Sequence, residues 1–153
     1  MFSHSTNTAS FFSVVIAVLI FSLSLAEVAV AQGNTSLGTG ALQNNTTGSF
    51  NTAIGNSALF SNSTGSLNTA NGVNALFSNT TGDYNTASGV QTLYNNTTGS
   101  LNTASGGGAL ASNTTGDSNA AIGTSALLRN ITGGNNTAIG ALADVSTGNL
   151  TNG

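Results

Sequence analysis

Apolar and small side chains return at fixed places along this chain. Leucine stands at 42, 59, 76, 93, 110 and 127, and alanine or serine at 36, 53, 70, 87, 104, 121 and 138. Polar residues keep the same beat: asparagine recurs at 34, 51, 68, 85, 102, 119 and 136. Glycine follows four residues later each time, from Gly38 to Gly140, and a second glycine column runs through 48, 65, 82, 99, 116 and 133. The period is seventeen, with the consensus N-T-A-x-G-x-x-A-L-x-x-N-T-T-G-x-x. Seven copies are present. The last is degraded, because Ala143-Asp144-Val145 replaces Ala-Leu-Phe and Ser146-Thr147-Gly148 arrives early.

A unit this short cannot close a core alone and must stack on its copies. Helix is a poor solution, since each copy holds two fixed glycines, at about 1 kcal/mol each relative to alanine, and an Asn-Thr-Thr-Gly cluster that favours turns. Disorder fits the low complexity but not the constant phase. Two short extended segments joined by turns fit better. In the copy beginning at Asn51, residues 51–54 form one strand, Gly55 a turn with positive φ, residues 57–60 a second strand, and Asn62 to Gly65 the return turn. Each copy is then one coil of an all-β, parallel β-solenoid of seven 17-residue coils, stacked at about 4.8 Å into a rod of roughly 30 Å. Asn34, Asn51, Asn68, Asn85, Asn102, Asn119 and Asn136 form a structural amide ladder.

Alternation along the strands points Asn51, Ala53, Gly55 and Leu59 inward, and Thr52, Ile54, Ala58 and Phe60 outward. That leaves two apolar stripes in water: Phe60, Phe77 and Tyr94 in one column, and Phe50, Leu67, Tyr84 and Leu101 in the column before each asparagine. These residues are the expected oligomer interface. It weakens toward the C-terminus, where Ala111 and Leu128 continue the first column and Ser118 and Asn135 the second. The alternative register inverts one strand and places the rings in the core.

Charged residues make up only 3% of the chain, and Arg129 is the single basic side chain, so no basic patch exists to neutralise phosphates or anionic lipid. Nucleic-acid binding through a basic patch is therefore not expected. No cysteine is present, which removes disulfide and thiolate-metal scaffolds. Residues 1–31 carry an apolar run, FFSVVIAVLIFSLSLA, followed by Ala29-Val30-Ala31, the small-x-small rule for cleavage before Gln32. The n-region has no Lys or Arg, only His4, which leaves an uncleaved N-terminal membrane anchor as the alternative to a signal helix. The repeat domain is expected over residues 32–153.

The phrases N-T-A-I-G and A-L-x-x-N-T-T-G, cleanest at Ala53-Ile54-Gly55, Ala121-Ile122-Gly123 and Ala138-Ile139-Gly140, resemble the head repeats of trimeric autotransporter adhesins, the YadA-like head, and similar strings of phage-type tail fibres. The resemblance covers Asn34 to Gly148. It implies a left-handed parallel β-roll, a homotrimer that would cover the apolar stripes, and display on a cell surface to bind host or matrix ligands. No heptad stalk, membrane-barrel strands or self-cleaving chaperone segment follows the repeats here, so a missing C-terminal region and the N-terminal segment both stand as anchors.

Beyond residue 31 there is no His, Cys or Lys, and the acids are Asp83, Asp117 and Asp144 alone. Neither a Ser-His-Asp triad nor a histidine zinc site can be assembled. Asp83 and Asp117 share one repeat position two coils apart, about 9.6 Å by strand spacing, a separation open to an inverting glycosidase but better read as surface aspartate. Gly38-Thr39-Gly40 and Gly106-Gly107-Gly108 lack the lysine and helix of a phosphate loop. The chain is therefore expected to be non-enzymatic, without cofactor or metal. Asn-x-Thr sequons at Asn45, Asn62, Asn79, Asn96, Asn113 and Asn130 fall in the return turn, where asparagine and threonine serve the turn itself. Two functions follow: an exported surface adhesin or fibre module, secreted or displayed on the cell surface, and a stand-alone ligand-binding or ice-binding solenoid. The threonines at 35, 52, 69, 86, 103 and 137 make one column for the latter, interrupted by Ala120 and without a second rank.

Overall fold

The computed structural model describes residues 32–144. The signal or anchor segment expected over 1–31, and the end of the last coil, lie outside the described residues. Seven three-residue strands, β1 (Thr35–Leu37), β2 (Thr52–Ile54), β3 (Thr69–Asn71), β4 (Thr86–Ser88), β5 (Thr103–Ser105), β6 (Ala120–Ile122) and β7 (Thr137–Ile139), form one parallel sheet in sequence order, with no helix among the described residues. Every pair is in register at the repeat period: Thr35 lies beside Thr52, Ala53 beside Ala70 and Ile122 beside Ile139. Seven strands so paired define six full turns of an all-β solenoid. Parallel neighbours need a crossover of a dozen or more residues, and here the rest of each coil supplies it.

That crossover is hydrogen-bonded almost all the way round. Gly55, Ser57 and Leu67 donate their N–H groups back to Leu37, Thr39 and Ser49 of the preceding coil at 2.8 to 2.9 Å. Leu59, Ser61 and Ser63 donate forward to Ala75, Phe77 and Thr80 at 3.0 Å. Each coil is thus both template and product of its neighbours.

The second strand expected over residues 57–60 does not form. Ser57 and Leu59 take φ of 54° and 51°, so the chain curls where a strand would extend. The curl recurs at Leu42, Leu76, Leu93, Leu110 and Leu127, with φ between 50° and 53°. It turns two consecutive side chains inward, and Ala58 joins Leu59 in the core rather than facing out. A pleated strand cannot do this, because its side chains alternate. A left-handed leucine is strained by roughly 1–3 kcal/mol. Burial of its whole side chain returns about 1.5–3 kcal/mol, and its N–H keeps the bond to the next coil.

The interior is thin: alanines from β2 to β6, the Ala58 and Leu59 columns, and two columns of asparagine. Thr92 replaces alanine once, and its hydroxyl donates to the Gly106 carbonyl at 2.8 Å. No described buried side-chain nitrogen or oxygen lacks a partner.

Candidate functional site

Polar chemistry inside the solenoid converges on the second glycine column. Asn51 Nδ2 and Asn62 Nδ2 both donate to the Gly65 carbonyl at 2.8 Å, and Asn68 and Asn79 repeat this at Gly82. The seven asparagines read from the sequence as a ladder are buried and linked through the backbone: Asn51 N donates to Asn34 Oδ1 at 2.8 Å, and so on to Asn136 N on Asn119 Oδ1 at 3.0 Å. Asn102 and Asn119 add direct amide-to-amide bonds of 3.2 and 3.0 Å to the preceding coil.

The return-turn asparagines form a second ladder that alternation did not reveal. Asn62 Nδ2 donates to Asn45 Oδ1, Asn79 Nδ2 to Asn62 Oδ1 and Asn96 Nδ2 to Asn79 Oδ1, at 2.8 to 2.9 Å. Asn62, Asn79, Asn96, Asn113 and Asn130 are wholly buried. The signal available in the sequence was the invariance of this asparagine beside variable turn neighbours. The glycine that follows it, such as Gly65, does not need positive φ. An added Cβ there would lie 2.5 Å from both Asn62 Oδ1 and the Gly82 carbonyl.

At the first described coil Gln32 takes the place that the preceding coil's asparagine holds elsewhere. Its Oε1 accepts from Asn45 Nδ2 at 3.0 Å and Asn34 Nδ2 at 3.3 Å, its Nε2 donates to the Thr46 carbonyl, and its own carbonyl accepts from Phe50 N. One side chain does there what Asn62 and its turn do for the coil above.

The aspartates also have structural partners. Asp83 Oδ1 accepts from Ser66 N and Asp117 Oδ1 from Ser100 N, each at 2.7 Å, while Ser66 and Ser100 hydroxyls accept from Ser49 N and Asp83 N. Among the described residues no group of three His, Cys, Asp or Glu side chains is placed to hold a metal ion.

On the surface, Phe50, Leu67, Tyr84 and Leu101 are 66%, 43%, 58% and 59% exposed, all with φ near 60°. Phe60, Phe77 and Tyr94 are half-buried and stack on one another, with centroids 5.2 Å apart and planes within 10°. They therefore sit neither in the core nor free in water: each ring covers the face of the next. β2 to β6 turn their central alanines in and their flanking residues out, so Thr52, Thr69, Thr86 and Thr103 line the sheet's outer side beside Ile54, Asn71, Ser88 and Ser105. A second threonine column, unbroken and exposed at Thr47, Thr64, Thr81, Thr98, Thr115 and Thr132, was not anticipated. Comparison with family models, with curated proteins and with solved structures finds no match to this chain.

Proposed function

We propose that this chain is an exported, non-enzymatic surface module, an adhesin or fibre segment whose left-handed coils associate as a homotrimer and present a repetitive surface to a cell or matrix ligand. The observation that carries the reading is the exposed column Phe50, Leu67, Tyr84 and Leu101, an apolar stripe on a hydrogen-bonded rod. Each such side chain covered between chains contributes on the order of 1.5–3 kcal/mol. Three copies of a weak contact on one tip then raise avidity without a strong single site. A leader or anchor in residues 1–31 delivers the chain to the secreted or cell-surface compartment. The stacked rings of Phe60, Phe77 and Tyr94 contribute less to association than their size alone would give, since each already covers the next.

Sedimentation of residues 32–153, alongside a Phe50→Ser, Tyr84→Ser, Leu101→Ser variant, tests the assembly. A trimer that the substitutions dissociate supports it, and a folded monomer of the unmodified chain refutes it. Adhesion of beads coated with each form to cells and matrix then tests the function.

The unbroken exposed column Thr47 to Thr132 favours one further reading, a ligand- or ice-binding rod whose hydroxyls repeat at about 4.8 Å. Thermal hysteresis of the purified repeat region distinguishes it, and its absence disposes of the ice-binding form.

A further inference from the structure

The return-turn Asn-x-Thr sequons at Asn62, Asn79, Asn96, Asn113 and Asn130 offer the chain to N-glycosylation, yet their asparagines hold the interior of the coil. We propose that the asparagine corner is a folding-exclusive modification site: a glycan on Asn62, Asn79, Asn96 or Asn113 and a closed coil cannot occupy the same molecule.

The chemistry of the amide sets the conflict. Glycan transfer forms a C–N bond between the asparagine Nδ2 and the anomeric carbon of a sugar donor as the bond to the donor's phosphate leaving group breaks. The amide nitrogen gives up one proton and keeps one N–H. The folded coil uses both: Asn79 Nδ2 donates to Asn62 Oδ1 at 2.8 Å and to the Gly82 carbonyl at 3.0 Å, and Asn96 Nδ2 donates to Asn79 Oδ1 and the Gly99 carbonyl. Asn113 Nδ2 likewise spans Asn96 Oδ1 and the Gly116 carbonyl. A sugar therefore removes a buried hydrogen bond and inserts a bulky group where even a Cβ on the neighbouring glycine has no room. Conversely the closed coil hides the nucleophilic nitrogen, as these four side chains are 0% exposed. The sequon threonines are separable from the fold: Thr64, Thr81, Thr98 and Thr115 are exposed, so they can be changed while the asparagine ladder stays intact.

The test uses the full chain with a soluble N-glycosyltransferase and its nucleotide-sugar donor. One sample is folded before the enzyme is added; the other is diluted from denaturant into enzyme and donor. Modified and unmodified molecules are sorted by resistance to a nonspecific protease, and the glycan positions are mapped by mass. The expected result is glycan at Asn62, Asn79, Asn96 and Asn113 only in the protease-sensitive fraction of the diluted sample. A T64V, T81V, T98V, T115V variant loses the glycans at these four asparagines while folding normally in the absence of enzyme. Glycans on these asparagines in protease-resistant chains would overturn the proposal, as would their attachment to the pre-folded sample without loss of resistance.

Discussion

At the scale of single residues, the chain depends on donors and on space more than on bulk. Asn79 donates twice and accepts once among buried partners, so Asn79→Asp sets an acceptor-only group against the Asn62 Oδ1 and Gly82 carbonyl oxygens. We expect that substitution to lower the urea midpoint more than Thr81→Ala on the exposed column two residues away, and equal midpoints would disprove the ladder's importance. Glycines divide in the same manner. Gly99→Ala forces a Cβ to 2.5 Å from Asn96 Oδ1 and the Gly116 carbonyl, whereas Gly107→Ala meets nothing nearer than 3.8 Å. The first should unfold the coil. The second should be neutral or stabilising by about 0.4–1 kcal/mol through the unfolded chain, and thermal melts of the two side by side decide it. Leu76→Ala, in a column with no exposure, should cost about 2–5 kcal/mol.

At the scale of the element, some of the coil was readable in advance and some was not. The Thr-Ala-x strand, the inward Ala53 and Leu59, the buried Asn51 column and the positive φ at Gly55 all follow from period and residue type. The curl through Ser57 and Leu59 does not, since leucine's own preference is against φ near 50°. It is imposed by bonds to the coils on either side, which no single repeat contains. For the same reason two-residue alternation misplaced Ala58 and gave no place to the second asparagine ladder. Because the inter-coil backbone bonds span one period to within two residues, excising residues 68–84 as a block should leave a shorter solenoid with its strand signal intact. Removing residues 68–83 should shift Asn, Gly and Leu out of their columns and abolish cooperative unfolding by circular dichroism. An intact fold after the sixteen-residue deletion would refute the register argument.

At the scale of the whole molecule, the first described coil is closed by a side chain. There Gln32 satisfies Asn34, Asn45 and Thr46, groups that the preceding coil satisfies elsewhere. Gln32→Ala should fray the first coil, read as faster amide exchange at Phe50 and Asn51 with little change at Asn102; uniform acceleration along the rod would contradict a local capping role. Laterally, the exposed Phe50 to Leu101 column fades into Ser118 and Asn135, so the proposed association should be tightest over the first described coils.

The one-coil reach of the backbone bonds, fifteen to eighteen residues along the chain, also governs how the rod would meet a pulling force. Tension applied between its ends acts on one boundary coil at a time, since no described strand pairs with anything but its immediate neighbours. Each release frees one coil, roughly 55 Å of extended chain, while the remaining stack holds its shape. A rod built this way would lengthen in near-equal steps under load and shorten again as coils rewind on the surviving template. Pulled in an optical trap, it should yield a staircase of such steps rather than one rupture, behaving as a ratcheted shock absorber wherever it bridges two moving surfaces.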